Sequence, residues 1–268
     1  ITFAFIYPPA SAVTLARRGT DDSIGLESSP YHIVSSNLCD PNVKQINPYS
    51  WNNASNLLFV DQPIDVGYSF GKGIANSTVE IVAPLYTFLQ LFLVRFPEYS
   101  KQDFHFFGES FAGHYVSATA KYICDMNQLI LEKKEEGIAI NLQSVGIGNA
   151  DIDAASYPTF ARYSSYGQLV SSDVIGQMES YLPKCKELLD KCDVTNNDTD
   201  CASGFNYCNL YILGTFDANS GLNDYDVRLP NTTDEVPNDF VNYINHTNVK
   251  EAIGAKGEEA LRTTSVIS

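Results

Sequence analysis

The stretch FHFFGESFAGHYVS, Phe104 to Ser117, places a serine where it could act as a nucleophile. Ser110 lies between Gly108 and Gly113, with an apolar run before it and helical spacing after it. A serine at the apex of a strand-to-helix turn stands above the sheet edge. The N–H groups that open the helix then face an oxyanion forming on the substrate. On that reading Ser110 attacks an acyl group and the Phe111 N–H donates to the oxyanion. The plainer reading makes Ser110 a small residue in a tight turn. The usual pentapeptide G-x-S-x-G is not met, because Ala112 holds its last position. These residues alone leave both readings open. A nucleophilic serine also needs a base, and the chain has 4 histidines. His105 sits in the apolar run and His114 on the following helix, while His32 and His246 fall in loops or near an end. Each reads as structural rather than catalytic.

The elements that would position Ser110 follow from periodicity. Asn56 to Val60 (NLLFV) is a short apolar run that stops at Asp61-Gln-Pro63, as a buried strand does where proline cannot donate to a ladder. From Thr78 to Arg95, apolar residues recur at helical spacing, with Ser77 or Thr78 as cap and Pro97 beyond the end. Pro84 should kink this helix or mark its true start. Phe104 to Phe107 is the next strand, Ala112 to Asn127 a helix, Glu132 to Glu136 a solvated turn, and Asn141 to Gly148 a third strand. This alternation builds a parallel sheet whose ligands sit beyond the C-terminal strand ends. After about Tyr166, helical pieces mix with polar runs and a cysteine cluster. A short helix is expected within Val236 to Ala255.

Composition narrows the function. The chain has 268 residues, 44% hydrophobic and 18% charged, as a globular protein does. A net charge of −15 argues against nucleic acid and anionic membrane surfaces as partners. No segment reads as long and apolar enough to span a bilayer. The opening ITFAFIYPPASA is either the end of a signal peptide, with a small-residue site at Ala10-Ser11-Ala12, or a trimmed strand. Of 6 cysteines, Cys185, Cys192, Cys201 and Cys208 cluster, while Cys39 and Cys124 stand apart. The cluster's spacings are wider than those of zinc knuckles and no histidine lies near, so disulfides are expected and no metal. Sequons at Asn53, Asn76, Asn197, Asn231 and Asn245 agree with a secretory route, extracellular or vacuolar.

Several blocks in order resemble one family. Gly108-Glu-Ser-Phe-Ala-Gly-His-Tyr-Val116 is similar to the GESYAGHYV signature of serine carboxypeptidases, of the fungal, carboxypeptidase Y-like type. Asn47-Pro-Tyr-Ser-Trp-Asn52, Asn56-Leu-Leu-Phe-Val-Asp-Gln-Pro63 and Val66-Gly-Tyr-Ser-Phe70 resemble its NPYSWN…DQPxxVGFSY block. Gly146-Ile-Gly-Asn-Ala-Asp-Ile-Asp153 is similar to GxGNGxxD, with Ala150 in place of a glycine. Tyr243-Ile-Asn-His-Thr-Asn-Val-Lys-Glu-Ala-Ile-Gly254 resembles YLNxxxVKEAxG.

The resemblance implies an α/β-hydrolase fold, a mostly parallel sheet with helices on both faces, a disulfide-bearing insertion, and the last part of the sheet missing. Residues 1–165 would open the core, 166–234 form the insertion, and 235–268 begin the C-terminal part of the core. It implies release of C-terminal residues from peptides through an acyl-serine intermediate at acidic pH, without a cofactor. Ser110 matches the nucleophile and Phe111 the oxyanion donor, while Glu109 and Glu27 match glutamates that bind the substrate carboxylate. The partners would be peptide or protein C-termini, with no nucleic acid and no membrane.

The pattern also departs from the family. Ile1 to Phe5 would be the strand that carries the family's glycine loop, but Pro8-Pro9 and Arg17-Arg18 stand where the glycines belong. The chain given stops at Ser268, short of the positions of the triad aspartate and histidine. The expectation is therefore a weak or inactive chain. The alternatives are a non-catalytic truncated homologue and, less favoured, an acyltransferase of the same family.

Overall fold

The computed structural model describes residues 2–7, 31–33, 44–46, 48–49, 51–64, 66–69, 75, 77–150, 152, 156–223, 226–232 and 238–255. Packing divides the chain into two units, Ile1–Asp151 with Glu235–Ser268, and Ile152–Asp234.

The first unit is built on a sheet of β1 (Thr2–Tyr7), β4 (Asn56–Val60), β5 (Asp103–Glu109) and β6 (Leu142–Gly148), in the order β4-β1-β5-β6. A separate antiparallel ribbon pairs β2 (Tyr31–Ile33) with β3 (Lys44–Ile46). Strands β5 and β6 are parallel, whereas β1 runs antiparallel to both its neighbours. Strands β4, β5 and β6 therefore share one direction, and their C-terminal ends lie at one edge of the sheet.

Strand β5 alternates as a half-buried strand should, with Phe104 and Phe106 at 4% and 1% exposure. Both enter a core with Leu58 of β4 and with helices α1 (Thr78–Arg95) and α2 (Ala112–Leu131). The opposite face gathers Leu57 and Phe59, with Trp51 edge-on to Phe107. Helix α1 begins at Thr78 despite Pro84, because Ser77 Oγ accepts a hydrogen bond from the Glu80 N–H. Pro84 therefore does not mark its start, while Pro97 follows its end as expected. Contrary to the sequence reading, α1 is long and apolar enough to cross a membrane by length and composition. Ile81, Val82, Leu85, Tyr86, Leu89, Phe92 and Leu93 are buried in the core, whereas Val79, Leu91 and Val94 of the same helix are exposed.

Two side-chain amides hold the segment that enters β6. Gln90 donates to Ile138 O and accepts from Ile138 N, both at 2.8 Å. Asn127 does the same for Ile140, at 2.7 and 2.8 Å. Each amide offers one backbone residue a donor and an acceptor together, as a neighbouring strand would. Helices α1 and α2 thereby fix where β6 begins beside β5.

In the second unit, α3 (Tyr157–Tyr166) and α4 (Ser172–Thr195) precede α5 (Asp198–Cys208). A π-helical turn, Asn209–Leu213, then leads into α6 (Gly214–Ser220). The boundary read at residue 166 falls after α3, yet α3 packs within this unit: Ala161 is fully buried against Met178, Ile212 and Phe216. Disulfides join Cys185 to Cys208 and Cys192 to Cys201, the second nested inside the first. Cys124 is free and exposed, and Cys39 lies outside the described residues. Towards the end of the chain, α7 (Asn238–Asn245) and α8 (Thr247–Ala252) complete the first unit. The Tyr68 hydroxyl donates to Ile244 O at 2.6 Å and joins α7 to the loop after β4.

Candidate active site

Strand β5 ends at Glu109 and α2 begins at Ala112, so the chain reverses over Ser110 and Phe111. Ser110 has φ 57°, a left-handed conformation that costs a residue with a side chain about 1–2 kcal/mol. Three interactions hold it there. Its N–H donates to Gly148 O at 3.1 Å, its carbonyl accepts from the Gly113 N–H at 3.0 Å, and Phe111 O accepts from the His114 N–H at 3.1 Å. The last two bonds are the first turn of α2, so the helix opens directly beneath the serine. Phe111 is already helical at φ −58°, and its N–H is among those that a helix start leaves without an intrahelical acceptor. Its ring is anchored against His114 and Tyr115, at centroid distances of 4.7 and 5.2 Å. Ser110 and Phe111 are half-buried and Glu109 is 3% exposed. The arrangement sets a hydroxyl-bearing residue next to a helix-start N–H in a hydrogen-bonded turn, which suits attack on a carbonyl and stabilisation of the resulting oxyanion.

Two further loops reach the same edge. Thr2 of β1 pairs with both Val60 and Gly108, so the ends of β4 and β5 are level. Beyond β4, Asp61 organises its loop. One carboxylate oxygen accepts from the Tyr68 N–H at 3.0 Å and its carbonyl accepts from Ser69 Oγ at 2.6 Å. Gly67, at φ 58°, lies so close that a Cβ there would overlap the Asp61 carboxylate. Burial first, and Asp61 second, push the Tyr68 phenol above its ordinary pKa of 10.0. Beyond β6, Asn149 is also left-handed, at φ 42°. Sequence reasoning gave no role to Asp61, Gly67, Tyr68 or Asn149. A glycine soon after Asp61-Gln-Pro63, and an asparagine after the glycines of β6, were the available signals.

The described histidines lie elsewhere. His105 Nδ1 and Ser144 Oγ are hydrogen-bonded at 2.7 Å, His114 packs its ring on Phe111, and His246 occupies the N-cap position of α8 without a side-chain capping bond. Among the described residues, no histidine is hydrogen-bonded to Ser110. Glu27, Asn76 and the side chain of His32 fall outside the described residues. Among the described residues there is no cluster of three or more potential metal ligands.

The strand expected to carry the glycine loop, β1, lies between β4 and β5 and runs antiparallel to both. Tyr7, its last residue, pairs with Asp103, at the opposite end of β5 from Ser110, roughly 20 Å away along the strand.

The family profile described as Serine carboxypeptidase matches residues 26–264. The chain belongs to the serine carboxypeptidase family. This serine carboxypeptidase homologue is 31% identical over 245 residues to Carboxypeptidase S1 of Penicillium janthinellum, covering 89% of this chain and 57% of that protein. It is 34% identical over 220 residues to Carboxypeptidase Y homolog A of Pyricularia oryzae, covering 78% of this chain and 38% of that protein. The chain therefore spans about two-fifths to three-fifths of the length of these relatives. Its fold matches the crystal structure of Kex1(delta)p, a prohormone-processing carboxypeptidase from Saccharomyces cerevisiae. The TM-score is 0.68 at 19% identity, over 88% of this chain and 52% of the other. The architecture is the α/β-hydrolase type, and the helical unit with its two disulfides is the insertion carried by the sheet unit.

Proposed function

We propose that this chain carries the nucleophile of a serine-type carboxypeptidase, which releases C-terminal residues from peptides through an acyl-serine intermediate. The observation that carries the proposal is the left-handed Ser110 set on Gly148 O at the start of α2, in a chain of this family. Ser110 Oγ attacks the scissile carbonyl, the Phe111 N–H receives the oxyanion, and water later releases the acyl group. Glu109 and Glu27 take part in binding the substrate's free carboxylate. The substrates are peptide or protein C-termini. The disulfides support a secretory protein, extracellular or vacuolar, because such bonds persist in oxidising compartments.

A second reading, peptide binding without turnover, is favoured by the engagement of His105 with Ser144 and of His114 with Phe111. A fluorophosphonate probe separates the two, because it reacts only with a serine whose proton has an acceptor. Under the first reading the probe modifies Ser110, and both labelling and amino-acid release vanish in Ser110→Ala. A folded chain that binds peptides with free C-termini over amidated ones, yet takes no probe, supports the second. A probe adduct on another serine sinks the assignment of Ser110.

A further inference from the structure

We infer that Asn197 carries an N-linked glycan; this rests on the secretory reading above. Asn197 is the N-cap of α5, and its Oδ1 accepts hydrogen bonds from the backbone N–H groups of Thr199 and Asp200 at 2.9 and 3.3 Å. The cap uses the carbonyl oxygen alone. The Nδ2 group, to which a sugar would be joined, makes no hydrogen bond among the described residues. Asn197, Asp198 and Thr199, the whole of the sequon, are exposed. They form the N-cap and first residues of α5, just after the tight turn that the Cys192–Cys201 disulfide closes, with Asn196 before them left-handed at φ 46°. A substituent on Nδ2 leaves the cap, the disulfide and both helices undisturbed.

The other sequons are less well placed or less fully described. At Asn53, Nδ2 is already donated to Pro48 O at 2.9 Å. The hydroxyl of the same sequon, Ser55, is bonded to Trp51 O at 3.3 Å in a residue only 6% exposed. Asn245 is half-buried at the end of α7. For Asn231 the sequon runs into Thr233, and Thr233, like Asn76, lies outside the described residues.

The transfer balances without any redox partner. The donor is a lipid pyrophosphate-linked oligosaccharide. A bond forms from Nδ2 to the anomeric carbon of its first sugar, the bond from that carbon to the pyrophosphate oxygen breaks, and Nδ2 loses one proton as the lipid pyrophosphate leaves.

Two substitutions separate glycan from fold. Asn197→Asp keeps an oxygen acceptor for the cap but has no amide to modify. Thr199→Ala destroys the sequon while leaving both the Asn197 side chain and the Thr199 backbone donor in place. In the full chain secreted from a yeast host, peptide-N-glycosidase digestion in heavy-oxygen water should convert Asn197 to labelled aspartate. Each variant should lose the mass of one glycan, with the far-UV circular dichroism of the wild type. Unmodified Asn197 in the secreted protein overturns the inference, whether or not another sequon is occupied. If Cys192 and Cys201 are also recovered as free thiols, the secretory reading falls with it.

Discussion

Around β5 the centre of the first unit is hydrocarbon: Phe106 and Leu58 lie against Leu89, Val116 and Ile123 of the two helices, all at 2% exposure or less. At the centre of the helical unit, Cys185 and Cys208 are fully buried among Ala161, Met178, Ile212 and Phe216. One unit is held by packing on a sheet that orders distant segments, the other by a helical hairpin whose core includes its own cross-link. The difference bears on where chemistry can sit. A nucleophile in a costly conformation needs surroundings that do not yield, and Ser110 is placed where three parallel strand ends and a helix start meet. The helical unit has a small apolar core and depends on covalent closure.

Phe106→Ala should produce the largest effect, a loss of about 3–5 kcal/mol from a tightly packed site. Denaturant unfolding followed by hydrogen exchange should show the loss in α1, α2 and β5. If the helical unit loses protection first, the contrast between the units is false. Next comes removal of the outer cross-link. Cys185→Ala with Cys208→Ala opens a closed segment of separation 23, worth about 3 kcal/mol in chain-entropy terms. Limited proteolysis should then cut within α4 and α5 while Thr78 to Gly148 stays intact. Equal cleavage in both units would break the comparison.

A smaller effect tests the turn itself. Ser110→Gly and Ser110→Ala both lack the hydroxyl, but only glycine adopts φ 57° freely, so the glycine variant should be the more stable by about 1 kcal/mol. Equal thermal midpoints would mean that the turn relaxes in solution. The smallest effect is a pH dependence of the first unit. Tyr68, Tyr86 and Tyr115 are all held above the ordinary phenol pKa of 10.0, burial being the main cause in each, with Asp61 adding to Tyr68 and Tyr122 and Glu135 to Tyr86. A raised folded pKa stabilises the fold fully below pH 10.0, and that contribution is lost as pH rises through the higher folded value. Alkaline titration should show structure in the sheet unit loosening as these phenols ionise, later in Tyr115→Phe than in wild type. Ionisation with no structural change would remove their part in the core.

Much of the site was readable from local pattern. NLLFV bounded by Asp61-Gln-Pro63 gave β4, the alternation of FHFFG gave β5, and the glycines flanking Ser110 gave the turn. These signals depend on neighbours a few residues apart. The direction of β1 was not readable, because strand orientation is decided by pairing with residues 50 to 106 positions away (56 − 6 and 108 − 2). The Asp61 brace escaped for the same reason on a smaller scale, as its partners lie seven and eight residues on. The disulfide connectivity was left open although a signal existed. Cys185 to Cys192 and Cys201 to Cys208 are each seven residues apart (192 − 185 = 208 − 201), two helical turns, so an antiparallel hairpin pairs them as two rungs.

The amide clamps on the entry to β6 carry a consequence for chemical ageing. Gln90 and Asn127 each present an N–H to a carbonyl and an oxygen to the N–H of the same residue. Deamidation would change one atom in each side chain, yet it would turn a donor facing a carbonyl oxygen into a negatively charged acceptor. The carbonyl of Ile138 or Ile140 would lose its partner and face a carboxylate, at a cost of about 1–3 kcal/mol for an unsatisfied buried group. The strand so loosened ends at Gly148, whose oxygen holds the Ser110 N–H. Slow hydrolysis of either amide would thus weaken the entry to the strand whose last residue holds the Ser110 N–H.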